Sequence, residues 1–137
     1  MKIASILAAS ALLAGTAFAQ SCVFTNFGRP CGGTLNGSLV RGPALQFDVA
    51  QASPGAHAVL VVGQQQRPAP LPGSLCPLLV NPRIMLHSQI DRAGNARWTL
   101  RVPNQRIDVD LQVVTIDVAR NRTRIAESTN GVNLVCR

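Results

Sequence analysis

Val109-Asp110-Leu111-Gln112-Val113-Val114-Thr115-Ile116-Asp117-Val118 is the stretch that decides the fold class. Its first half puts Val109, Leu111 and Val113 on one side and Asp108, Asp110 and Gln112 on the other, the two-residue period of an extended strand. From Val114 onward the apolar residues change sides, through Ile116 to Val118. A strand patterned in this way is expected to be buried on both faces.

The same period recurs on either side of it. Leu45, Phe47 and Val49 alternate with Gln46 and Asp48, and Trp98, Leu100 and Val102 alternate with Arg97, Thr99 and Arg101. Residues 34–40, 57–63, 77–80, 84–90 and 132–136 read as further strands, at the spacing of roughly 8 to 12 residues found in sandwiches and barrels. No segment after the N-terminal leader sustains a 3.6-residue apolar repeat. The fold class read from this is all-β, a single antiparallel β-sandwich domain. In Asp91-Arg92-Ala93-Gly94-Asn95, Gly94 can supply the positive φ that closes a hairpin between 84–90 and 96–102. Residues 64–73 carry three glutamines and three prolines, and are expected to form an exposed connection because proline removes ladder donors.

The N-terminus has a different character. Lys2, the apolar run 3–13 and Ala17-Phe18-Ala19 describe a secretory signal peptide over residues 1–19, with cleavage before Gln20. Its apolar core is too short to cross a bilayer, which takes about 20 residues. Lipid attachment at Cys22 fits poorly, since Ala19-Gln20-Ser21 lacks an apolar residue three positions before the cysteine. Residues 20–137 make one exported domain, with no later apolar stretch of membrane length.

Cysteine and charge bound the chemistry further. Cys22, Cys31, Cys76 and Cys136 are an even set in an exported chain, which predicts two disulfides in one of three connectivities. No cysteine pair has zinc-knuckle spacing, and His57 and His87 are remote in sequence, so neither a metal nor a cofactor is expected. Lys2 leaves with the leader, and twelve arginines then face six carboxylates for a net charge of +6. That excess favours anionic partners such as acidic polysaccharide. Interleaved aromatics that would mark a nucleic-acid surface are absent, so any such contact is unselective.

Catalysis finds no support. A nucleophile needs an oriented base beside it and usually sits on a constrained turn; His87 and Ser88 are strand neighbours that point to opposite faces. His57 reads as an exposed strand-start residue. Asp108 and Asp110 share a strand face and are expected to pair across strands with Arg97 and Arg101. Arg120-Asn121-Arg122-Thr123-Arg124 is the candidate ligand site: a two-residue period sends Arg120, Arg122 and Arg124 to one side as a three-pronged clamp for sulfate, phosphate or carboxylate groups.

Several landmarks occur in a shared order: Phe27-Gly28 with Cys31-Gly32, Pro54-Gly55-Ala56-His57-Ala58, Val59-Leu60-Val61-Val62-Gly63, Leu71-Pro72-Gly73 and Cys76-Pro77-Leu78-Leu79-Val80-Asn81-Pro82. Leu100-Arg101-Val102-Pro103-Asn104, Gln112 with Asp117, and Ser128 with Asn130-Gly131-Val132 continue the series. In these residues the chain resembles a family of β-sandwich modules, uncharacterised in function, from secreted proteins of planctomycetes and related bacteria. Pro30 and Leu75 stand where that family usually has glycine before the cysteines. The resemblance implies Cys31 to Cys76 as the family pair, and hence Cys22 to Cys136; the local alternative joins Cys22 to Cys31 and Cys76 to Cys136. It also draws attention to Gln112 and Asp117, whose expected role is to hydrogen-bond buried backbone near a sheet edge.

The resulting expectation is a non-enzymatic secreted or cell-envelope module with a structural or adhesive role that binds anionic polymers. The alternative is a small inhibitor or accessory binder of a secreted enzyme, touching its protein partner through 64–73.

Overall fold

The computed structural model describes residues 21–118 and 124–137. The leader expected over 1–19 lies outside them, as do Arg120 and Arg122. Among the described residues there are eight strands and no helix: β1 (Cys22–Phe27), β2 (Thr34–Val40), β3 (Ala44–Ala50), β4 (His57–Pro70), β5 (Pro77–Gln89), β6 (Ala96–Arg101), β7 (Ile107–Val118) and β8 (Arg124–Cys136). All pairings are antiparallel, in a five-stranded sheet of order β1-β8-β7-β4-β5 and a three-stranded sheet of order β2-β3-β6. Their facing sides enclose the main core, where Leu35, Phe47, Val49 and Trp98 meet Leu60, Leu111, Val113, Val132 and Leu134. Phe24 of β1 stands edge-on to Phe47 of β3 at 5.9 Å, joining the two layers. This is the expected sandwich.

The change of sides along β7 is explained by a second cluster. Leu111 and Val113 face the main core, whereas Val114 packs with Val59, Val61, Leu79 and Val80 on the outer face of the large sheet. The far end of the β4–β5 hairpin lies over part of that face, with Leu79 and Pro77 bonded to Gln112 and Ser128. Residues 64–70 are therefore strand, not the exposed connection read from their prolines, and the strands read separately over 77–80 and 84–90 are one continuous β5.

The prolines fit because β4 pairs with β7 only as far as Gly63 opposite Asp110, and beyond that point its ladder runs to β5 alone. The β4–β5 register then skips from Gln65–Val80 to Ala69–Leu78, leaving Gln66, Arg67 and Pro68 opposite Leu79. The missing donor of Pro68 falls inside this bulge, where no partner needs it. A first register shift lies at Gly63, where an added Cβ would run into the backbone carbonyl of Asn81. Glycine is required there by the close approach of two backbones.

The turn at 91–95 forms as read, with Gly94 at φ +85° and the Asp91 carboxylate accepting the N–H groups of Ala93 and Asn95 at 2.9 Å each. It does not close a hairpin. β5 and β6 belong to different sheets, and the turn is a corner held by segment 52–56: Ile90 N–H donates to Ala56, and Ala52 N–H to Gly94. β1 was not legible in the sequence, since Val23, Thr25 and Asn26 are exposed and only Cys22 and Phe24 pack against the main core.

The disulfides are Cys22–Cys136, between directly opposed residues of β1 and β8, and Cys31–Cys76, which fastens the loop after β1 to the turn between β4 and β5. This is the pairing the family resemblance implies. The local alternative does not form, and Cys22 has no thiol left for a lipid. Two such bonds belong to an oxidising extracellular or periplasmic compartment.

Candidate functional site

The buried polar side chains Gln112, Ser128, Thr129 and Asn130 cluster where register shifts break the β4–β5 ladder after Gln65 and the β7–β8 ladder after Gln112. Opposite Gln66–Pro68 the N–H of Leu79 has no strand partner, and the side-chain oxygen of Gln112 accepts it at 2.8 Å. Pro77 faces Pro70, which has no N–H to give, so the Pro77 carbonyl takes the Ser128 hydroxyl at 2.7 Å and the Gln112 amide at 3.1 Å. The same amide donates to the Thr129 carbonyl at 2.9 Å. Between β7 and β8, Val113 faces the two residues Thr129 and Asn130, and its N–H goes to the Thr129 hydroxyl oxygen at 3.1 Å. Asn130 reaches into the other sheet, accepting Leu35 N–H at 2.9 Å and donating to Leu35 carbonyl at 3.0 Å. Gln112 thus has the structural role expected of it. Among the described residues Asp117 acts locally, accepting the N–H of Val118 at 2.9 Å.

Asp108 and Asp110 share a face as expected, but their pairing with Arg97 and Arg101 is not formed. Those arginines lie on β6 in the other sheet, and Arg97 instead meets its register partner Asp48 on β3 at 2.6 Å. Asp108 and Asp110 both accept from the Asn133 amide, at 2.9 and 2.8 Å, and Asp110 also accepts Gln65 N–H at 2.8 Å. These two carboxylates are thus engaged by amide and backbone donors. Among the described residues Arg97–Asp48 is the sole ion pair, and every arginine is exposed.

Arg124 opens β8, exposed and opposite Val118. The other two members of the arginine clamp, Arg120 and Arg122, are outside the described residues.

One constellation was missed by sequence reasoning. His57 and His87, thirty residues apart, meet on the outer face of the large sheet, with His57 Nε2 and His87 Nδ1 2.8 Å apart and ring centroids 5.1 Å apart. The register makes them diagonal neighbours: His87 lies opposite Val59, and His57 opposite Gln89. The antiparallel pairing of 57–63 with 84–90 brings them together, which an exposed connection over 64–73 followed by a separate strand over 77–80 does not suggest. Among the described residues no three His, Cys, Asp or Glu side chains converge as a metal cluster.

In comparisons with protein-family models, curated proteins and solved structures, nothing matches this chain.

Proposed function

We propose that the protein is a non-enzymatic β-sandwich module, secreted or held at the cell envelope, with a structural or adhesive role and affinity for anionic polymers such as acidic polysaccharides. One observation carries this reading: among the described residues every arginine stands exposed with a single ion pair between them, while Asp91, Asp108 and Asp110 are engaged by amide and backbone donors and not by guanidinium groups. Guanidinium groups left free of carboxylates are available to sulfate, phosphate and uronate groups. Resemblance to the secreted modules of planctomycete-type bacteria agrees with a role in the envelope or outside the cell.

Chromatography on a sulfated polysaccharide across a salt gradient tests it, with wild type run beside a variant carrying Arg120→Gln, Arg122→Gln and Arg124→Gln. Retention that falls with salt and is largely lost in the variant places the polymer on that segment. Elution of wild type at the salt of a neutral protein of similar size overturns the reading.

A second reading, an accessory binder of a secreted enzyme, is favoured by Leu75, fully exposed at the turn that Cys31–Cys76 anchors. A stoichiometric complex insensitive to salt and lost on Leu75→Asp would support it over the first.

A further inference from the structure

We propose that His57 and His87 form a binding site for a late first-row transition-metal ion, with Cu²⁺ preferred to Ni²⁺ or Zn²⁺. Imidazole suits all three ions, and the facing nitrogens, His57 Nε2 and His87 Nδ1, are 2.8 Å apart. Two cis ligands about 2.0 Å from a metal in a tetragonal site stand about 2.8 Å apart, against about 3.3 Å in a tetrahedral one. The spacing matches tetragonal Cu(II) or Ni(II), but the nitrogens face each other head-on in their hydrogen bond. Each ring must therefore turn about its side-chain torsions so that both lone pairs aim at one ion. Among the three ions the Irving–Williams order puts copper first.

The scaffold keeps the two rings within reach of one ion. His57 is on β4, paired on both sides by β5 and β7, and His87 is on β5, so both Cα positions are held by ladders and only side-chain torsions remain free. Of the residues opposite them, Val59 and Ile116 are apolar and Gln89 is a neutral amide that donates to the Gly55 carbonyl, so none brings a competing cation. Both imidazoles are exposed, which leaves the remaining coordination positions to water.

The proton is accounted for by tautomerism. In the hydrogen-bonded pair one facing nitrogen carries the proton and the other accepts it. On metal binding the donor ring shifts that proton to its outer nitrogen, so both facing nitrogens present lone pairs and the neutral pair releases no net proton.

The test is a titration of the untagged, disulfide-intact protein with Cu²⁺, followed by equilibrium dialysis and electron paramagnetic resonance. Wild type is expected to take up one ion per chain with hyperfine coupling from two imidazole nitrogens. His57→Asn and His87→Asn should each lose that signal while keeping the wild-type far-ultraviolet circular dichroism. Copper should raise the melting temperature of wild type and leave both variants unmoved, since a ligand stabilises only the state that binds it. Uptake and spectrum unchanged in either variant would put the copper elsewhere, at the terminal amine for example, and overturn the proposal. Failure of wild type to bind would do the same.

Discussion

The side-chain oxygen of Gln112 lies 2.8 Å from the backbone nitrogen of Leu79 and occupies the place of a strand partner that the β4 bulge withholds. An apolar side chain at this position would leave Leu79 N–H and the Thr129 carbonyl, both on buried residues, without their partner. Gln112→Leu is expected to lower stability by about 2 to 5 kcal/mol, since each orphaned buried group costs about 1 to 3 kcal/mol. Urea unfolding checks it; a loss below about 1 kcal/mol at unchanged m-value would mean that the backbone finds other partners.

Asn130 does for the two sheets what Gln112 does for the bulge. Two of its side-chain bonds go to Leu35 on β2, an edge strand whose ladder runs to β3 alone, and a third goes to the Gly131 carbonyl. Asn130→Ala should cost about 2 to 4 kcal/mol. The distinguishing readout is amide hydrogen exchange, which should quicken at Leu35 more than at Val49 on the neighbouring strand.

Gly63 and Gly55 make a contrasting pair. At Gly63 a methyl group meets the fixed backbone of Asn81, whereas at Gly55 nothing lies within 4 Å and the only obstacle is a φ of +80°. Gly63→Ala should cost about 2 to 3 kcal/mol by forced displacement, and Gly55→Ala about 1 kcal/mol from left-handed strain. Thermal melts that rank the two in the opposite order would show that the Gly63 bulge yields.

The two disulfides are separable by where the chain loosens. Cys31→Ser with Cys76→Ser should expose the turn at 71–76 to proteolysis while β1 remains paired with β8. Cys22→Ser with Cys136→Ser should instead fray β1. Each bond closes a long loop and should be worth about 2 to 5 kcal/mol in denaturant midpoints.

What could be read from the sequence followed from side-chain period and turn chemistry. The change of sides at Val114 announced a second apolar layer, and Gly94 with Asp91 announced a tight turn. Properties set by pairing were not legible. Pro68 and Pro70 argued for a loop, because nothing in residues 64–73 shows that a bulge and a one-sided ladder would absorb their missing donors. The turn at 91–95 is the same whether it closes a hairpin or carries the chain between sheets; segment 52–56 decides that. Arg97 met Asp48 and not Asp108 because sheet membership, which alternation does not encode, selects the partner. His57 and His87 were invisible as a pair because the β4–β5 register, which alternation does not encode either, is what makes them diagonal neighbours.

Ser21 and Arg137 exchange both of their backbone hydrogen bonds, at 3.0 and 2.9 Å, and the next opposed pair is the Cys22–Cys136 disulfide. Tension drawn along the chain from one side of the domain to the other would pass through that covalent bond and bypass the sandwich. Resistance to extension is thereby separated from folding stability: even a marginally stable domain would not lengthen under pull. Reduction would turn the same unit into a reserve of slack, since the 114-residue separation corresponds to about 390 Å of extended chain at roughly 3.4 Å per residue.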